Sequence, residues 1–424
     1  MVPAPETGSP PGSFGRDDRV SGARTEVAPR TPGAGGRVLR HAGGMDIQAD
    51  PLSLLRTRTS EKWTAYPADV LPLFVAELDF PLADPIARAL IAAVGRSDTG
   101  YDGGSTELPA AFAEFALRHW DWAVDPAQVS TTTDVSVAIV ESLRLAISPG
   151  DGVVLNPPVY APFFDLIAEA GGMPVEVPML DTGDGWELDL LAIEHAFIAG
   201  ARAYLLCHPH NPLGLVHSTE QLARLAELAA AHNVTVISDE IHAPLTYPGA
   251  RFTPFLSVSD AAREHGITVT SASKSWNVAG LKCALFVTAG DRMSHLLSQL
   301  PEEVHFRTSL FGRIASIAGF TDGDPWLASA VHALDTNRTL LGTLLAEHLP
   351  EVGYRMPAAS YLAWLDFRAL GWGDDPAIRA LEQARVALNP GPSFGGQGRG
   401  FVRLNFGCSP DVLTEAIRRL AAAR

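Results

Sequence analysis

The chain has 424 residues, a formal net charge of −16, 46% hydrophobic residues and 19% charged ones. That size predicts two or three domains with a core large enough to need no disulfide or metal staple. The acidic balance argues against a general binder of nucleic acid or anionic membrane. Cys207, Cys283 and Cys408 are too few and too scattered for a disulfide framework or a structural zinc site.

Residues 1–44 hold nine glycines and six prolines and few large apolar side chains. Such a composition cannot bury enough surface to offset its ordering entropy, so a disordered tail is predicted. It lacks the basic-then-apolar pattern of a secretory signal. No run of about 18 uncharged apolar residues exists for a membrane helix. A cytoplasmic protein is the expectation. Residues 45–83 read as an N-terminal arm.

Helical spacing and short apolar runs then alternate. Pro85–Val94, Leu108–Arg118 and Val135–Ile147 are predicted helices, with strands at Val153–Leu155 and Val175–Val177. Helix Leu188–Ala199, strand Ala203–Cys207, helix Thr219–His232 and strand Val234–Ser238 follow, then strands Ile267–Ser271 and Ala284–Val287. The strands are short and almost wholly apolar, as when helices cover both sheet faces. The fold class predicted is α/β, with a mostly parallel sheet in a large domain over residues 84–325. A long helix, about Pro325–Leu349, leads into a smaller α+β domain over residues 326–424. Its strands are Leu362–Phe367 and Val402–Phe406, and its last helix is Pro410–Ala423.

Chemistry is expected beyond the carboxyl ends of the parallel strands. Of 32 basic residues only three are lysine: Lys62, Lys274 and Lys282. Lysine survives such a bias where an amine must lose its proton. Lys274 follows a strand end in the hydroxyl-rich run Ser271-Ala272-Ser273-Lys274, and Lys282 comes shortly after. Asp239 ends another strand, where a carboxylate is costly unless it meets a cation. Asn211 lies in the tight loop His208–Gly214 after a third. A lysine for an aldehyde, a carboxylate for a pyridinium, and donors for a phosphate and a ring hydroxyl together point to pyridoxal 5′-phosphate.

The same residues, with Ser60-Glu61-Lys62-Trp63, Leu71–Phe80, Gly100-Tyr101, Pro157–Phe163, Ser238–His242, Asn277–Cys283, Tyr361–Asp366 and Phe401–Phe406, resemble the fold-type I pyridoxal-phosphate enzymes, the class I/II aminotransferase superfamily. Within it the chain is similar to the MalY/PatB-like cysteine-S-conjugate (cystathionine) β-lyase branch over roughly residues 46–424. The resemblance implies a seven-stranded sheet sandwiched by helices, and a homodimer with shared active sites. It implies that Lys274 holds the cofactor, Asp239 faces the pyridinium nitrogen, Asn211 donates to the ring hydroxyl and Tyr160 stacks on the ring. Ser271, Ser273, Lys282 and the N–H groups of Val135 and Ser136 would bind the phosphate, joined by Tyr101 of a second subunit. Arg403 would grip the substrate carboxylate, and Lys62 would be structural. The implied activity is cleavage of cystathionine or related S-substituted L-cysteines to a thiol, pyruvate and ammonia, with no nucleic-acid or membrane partner and no metal.

Three departures stand out. Asp134 precedes the phosphate helix where the family has glycine, and is expected to cap it. His208 stands where asparagine or serine is common, and Pro244 where an acid is common. The same residues also serve an aminotransferase, which returns the proton to the cofactor instead of expelling a Cβ group. A pyridoxal-phosphate-bound regulator would need a DNA-binding module, which the Gly/Pro-rich tail does not resemble.

Overall fold

Seven strands form the central sheet of the computed structural model, which describes residues 47–424. The expectation for residues 1–44 lies outside them. Across the sheet the order is Val129–Thr132, Ala284–Val287, Gly266–Thr270, Thr235–Asp239, Ala203–Cys207, Gly152–Leu155 and Met173–Glu176. From Gly266–Thr270 to the Met173–Glu176 edge all pairs are parallel, whereas Ala284–Val287 runs antiparallel to both neighbours. Helices between the parallel strands make the crossovers that parallel pairing requires.

Side-chain alternation explains why these apolar runs become strands buried on both faces. Ala203, Leu205, Ile237, Ile267, Val269 and Phe286 pack on one face with Val135, Ile139 and Leu143 of the helix Val135–Ala146. Tyr204, Leu206, Val236, Leu285 and Val287 point the other way. There they meet the core that includes Leu222, Leu225 and Ala229 of the helix Thr219–His232. Truncating one such leucine to alanine costs about 2–5 kcal/mol.

Two strands of the central sheet shift by one residue from their predicted positions, as does Phe401–Asn405 of the smaller sheet, predicted at Val402–Phe406. Thr235–Asp239 takes Asp239 in as its last residue, and Gly266–Thr270 leaves Ser271 just outside. The register sets Cys207 opposite Asp239 and Asp239 opposite Val269, so three loops leave the sheet side by side. The edge strand Val129–Thr132 was not predicted because Ser130, Thr131 and Thr132 break its apolar pattern. The helix Leu310–Asp322 was missed because Gly312 and Gly319 read as breakers. Both glycines are close approaches: a Cβ on Gly312 would sit 2.4 Å from the Leu281 carbonyl oxygen, and one on Gly319 3.1 Å from the Trp276 ring.

After the long helix Asp324–His348 comes a four-stranded sheet, ordered Gly353–Tyr354, Leu362–Asp366, Phe401–Asn405 and Asn389–Pro390, then the helix Pro410–Ala422. Leu71–Pro72 pairs in parallel with Val386–Ala387, which ties the early chain to this part. Among the described residues no helix is long and apolar enough to cross a membrane.

Candidate active site

The turn that carries Lys274 is fixed from below by Trp276. That indole is fully buried, donates from Nε1 to the Gly323 carbonyl oxygen at 3.2 Å, and meets Phe115 and Phe320 edge-on. Asn277, at φ 57, closes the turn. Its amide donates to the Leu78 carbonyl oxygen and accepts from the Leu78 N–H, both at 2.9 Å. Lys274 Nζ then reaches the Ala76 carbonyl oxygen at 3.1 Å. Burial first, and the positive charge of Arg403 second, push the Lys274 amine down to about 8. A fraction of it is therefore neutral at physiological pH.

Residues 74–79 cross the site as a strap of backbone acceptors. Phe74 oxygen accepts from Arg403 Nη2 at 3.0 Å. Ala76 oxygen accepts from Tyr361 Oη at 2.9 Å as well as from Lys274. Val75 and Glu77 oxygens accept from Asn405 Nδ2 at 2.6 and 2.7 Å. Lys62 donates to the Glu77 carbonyl oxygen at 3.2 Å and to Asp79 Oδ1 at 2.7 Å, in a pair almost wholly buried. Lys62 thus anchors the strap, the structural part expected of it.

Asp239 is buried and accepts only the Ile241 N–H, at 3.1 Å. No cation pairs with its carboxylate among the described residues, and burial lifts it to about 7. Asn211 Oδ1 accepts from Arg403 Nη1 at 3.1 Å. Arg403 comes from the strand Phe401–Asn405, lies over the Phe394 ring at 5.0 Å, and meets no carboxylate among the described residues. Burial lowers the guanidinium to about 10, and its Nε is buried without a partner. Such a cation calls for an anion. Tyr160 is half-buried, and burial raises its phenol. The charges of Arg403 and Asp239 both act on that phenol, which places it with them.

A second cluster of donors lies at the start of the helix Val135–Ala146. Asp134 caps it, accepting the Val137 N–H on Oδ1 at 2.9 Å, as its position predicted. The N–H groups of Val135 and Ser136 find no partner among the described residues. Ser271 Oγ lies 2.7 Å from Ser273 Oγ and donates to the Cys283 carbonyl oxygen at 2.6 Å. Lys282, held at φ 59 just before Cys283, pairs with Asp134 Oδ2 at 2.9 Å.

The fold therefore assembles Lys274, Asp239, Asn211, Tyr160 and Arg403 at one end of the central sheet, with Val135, Ser136, Ser271, Ser273 and Lys282 as the donor cluster. Tyr101 does not join them: its side chain is 93% exposed. Its neighbour Asp102 is held by Arg313 at 2.6 Å. Sequence reasoning missed Tyr361, His242 and Asn405. His242 is buried against Ser360 Oγ at 3.1 Å, and its imidazole is pushed down to about 3 by burial and by Lys274 and Arg403. The Ser238–His242, Tyr361–Asp366 and Phe401–Phe406 motifs hold all three, but nothing in them marks which side chain faces the site. The three cysteines are buried and free.

Known proteins are similar to this chain over most of its length. A candidate cystathionine beta-lyase of Mycobacterium tuberculosis is 45% identical over 390 residues, covering 86% of this chain and 94% of that protein. The cystathionine beta-lyase of Corynebacterium glutamicum is 36% identical over 88% of this chain and 98% of its own. The crystal structure of a candidate PLP-dependent beta-cystathionase from Corynebacterium diphtheriae superposes with a TM-score of 0.85 at 36% identity, over 89% of this chain and 98% of that one. Residues 69–420 match the family described as aminotransferase class I and II, and the chain belongs to that family.

Proposed function

We propose that the chain is a pyridoxal-phosphate-dependent carbon–sulfur β-lyase. It cleaves cystathionine or related S-substituted L-cysteines, with water, to a thiol, pyruvate and ammonia. One observation carries the cofactor and the base: the Lys274 amine, pushed down to about 8, stands at the sheet end that buries the cation-free carboxylate of Asp239. The choice of reaction rests on the cystathionine beta-lyases among the relatives.

The residues fit the group. Val135 and Ser136 N–H, the Ser271 and Ser273 hydroxyls and the Lys282 ammonium would hold the phosphate. Asp239 would face the ring nitrogen, Asn211 the ring hydroxyl, and Tyr160 the ring face. When bound, pyridoxal phosphate supplies an aldehyde carbon for the amine and a ring that takes up the electron pair left at Cα.

The protein's part is positioning and proton transfer. Lys274 Nζ, neutral in part near pH 8, takes the Cα proton as general base. Buried Asp239 would pair with the ring nitrogen and favour its protonated form. Arg403 turns its fork from Asn211 and Phe74 to the α-carboxylate, which fixes Cα–H toward Lys274. The strap closes the site on the Lys274 side and limits access of water.

The deciding experiment is a panel of cystathionine, cystine and S-alkylcysteines scored for pyruvate, run beside an amino-acid and keto-acid pair scored for transamination. Pyruvate and thiol formed in equal amounts support the lyase. Exchange of amino groups without pyruvate would make the chain an aminotransferase.

The assembly belongs to the same reading. Tyr101, exposed on its own chain, would reach the phosphate of a second copy, so the active unit is a homodimer. Tyr101→Phe should weaken cofactor retention, and a fully active monomer in sedimentation at assay concentration would contradict it.

A further inference from the structure

We propose that Asp134 loosens the hold of this protein on its cofactor, by placing a fixed negative charge inside the phosphate-binding cluster. The inference rests on the cofactor reading above. Its basis is geometric. The two oxygens of Asp134 do different work: Oδ1 caps the helix through the Val137 N–H, and Oδ2 holds Lys282 Nζ, both at 2.9 Å. Capping alone does not require a charge, since asparagine and serine cap as well as aspartate. The carboxylate is left facing the one ammonium group of the cluster.

Two consequences follow from charge. Lys282 is the only cation that touches the cluster among the described residues; Arg313, further along, is taken by Asp102 at 2.6 Å. Its pairing with Asp134 brings the local sum of side-chain charge to zero. A phosphate ester carrying nearly two negative charges then meets no net positive charge there: it shares the Lys282 ammonium with Asp134 and leans more on the neutral N–H groups of Val135 and Ser136 and the hydroxyls of Ser271 and Ser273. The carboxylate cannot swing away to relieve the repulsion, because Oδ1 is tied to the helix it caps. The left-handed backbone of Lys282, at φ 59, holds the other side of the pair in place.

The test is cofactor affinity rather than turnover. Cofactor-free full-length protein is titrated with pyridoxal phosphate, following quenching of tryptophan fluorescence, and separately with pyridoxal, which lacks the phosphate. Asp134→Asn keeps the cap and removes the charge. It should bind pyridoxal phosphate about tenfold more tightly. Its affinity should fall more steeply with salt than that of the unchanged chain, because a net positive cluster is screened. Affinity for pyridoxal should not move. Asp134→Ser provides the same comparison should the asparagine variant fold poorly. Unchanged or weaker binding of pyridoxal phosphate by both variants would mean that Asp134 serves to orient Lys282, and would overturn the proposal. An equal gain for pyridoxal would also overturn it, since the effect would not lie at the phosphate. Failure of the unchanged chain to bind pyridoxal phosphate at all would overturn the cofactor reading first, and this inference with it.

Discussion

Lys274 Nζ and Tyr361 Oη converge on one acceptor, the carbonyl oxygen of Ala76, at 3.1 and 2.9 Å. The tyrosine is fully buried, with its phenol pushed far above its usual range, so it stays a donor at any working pH. It shares the acceptor with the lysine and limits how strongly that oxygen can hold the ammonium form. Tyr361→Phe should leave the lysine more firmly hydrogen-bonded to Ala76 and slow its capture of an aldehyde. Rapid mixing with pyridoxal phosphate measures this. A capture rate equal to that of the unchanged protein would remove Tyr361 from the positioning of Lys274.

The amine of Lys274 should titrate near 8 in the cofactor-free protein, well below an ordinary lysine. Visible absorbance from aldehyde capture should therefore rise with pH through 8 and level off by about pH 9.5. Arg403→Ala removes a positive neighbour, so the midpoint should move up. Lys274→Ala should abolish both the absorbance and turnover. Retained turnover in that variant would remove the lysine from its assigned place.

Arg403 should act on binding more than on the chemical step. A bidentate charged contact is worth about 1.5–3 kcal/mol. Arg403→Ala should raise KM for a cysteine thioether by roughly ten- to a hundredfold. Arg403→Lys should recover little, because one ammonium cannot reproduce the fork. Asp239→Asn should show the opposite pattern, with kcat reduced and KM nearly kept. Steady-state kinetics on the three variants separate the two roles.

Four buried imidazoles should make the protein acid-sensitive. His208, His210 and His242 are pushed down to about 3 and His217 to about 4, in each case chiefly by burial. Their folded values lie below the unfolded value of about 6.5, so protons favour the unfolded chain. Stability should fall as pH drops from about 6.5 toward 4. Asp239 and Glu240 act with the opposite sign. Their folded values are raised to about 7 and 8, so their burial costs stability as pH rises from about 4 through that range. Thermal midpoints of the cofactor-free protein should peak near pH 6.5. A midpoint still climbing at pH 5 on acidification would show that the histidines are not buried neutral.

Lys62 and Asp79 form a pair that neither member can leave cheaply. Burial first, and the Glu77 charge after it, raise the Asp79 carboxyl against the pull of Lys62 and Arg58, so desolvation outweighs the attraction. Lys62→Met would strand that carboxylate and should cost about 3–5 kcal/mol. The double variant Lys62→Met, Asp79→Leu should recover most of the loss. Denaturant unfolding of the two variants measures both numbers.

The parts of the site that the sequence made legible share one property: identity and position agree. Lys274 and Asp239 stand at the carboxyl ends of apolar strands, where a charged residue has few reasons to be. Arg403 interrupts an apolar run, and Asp134 stands where a helix begins. What stayed hidden depends on backbone. The strap works through the carbonyl oxygens of Phe74, Val75, Ala76 and Glu77, and a carbonyl is the same in every residue. The Asp134–Lys282 pair joins positions far apart in the chain, and no local pattern announces it. The helix Leu310–Asp322 was lost for a related reason, since its glycines answer to Trp276 and Leu281 rather than to their own neighbours.

The strap also sets the order in which this protein can be finished. Apart from Lys62, the partners named above lie 198 to 330 residues further along: Lys274 and Asn277 at the near end of that span, Arg403 and Asn405 at the far end. Contacts of such separation form late, after the chain entropy of very long loops has been overcome. During synthesis the lysine leaves the ribosome well before the arginine and asparagine that lock the strap over it. A nascent chain that has not yet released its last strand, Phe401–Asn405, therefore holds Lys274 without the two side chains that fasten the strap from that strand.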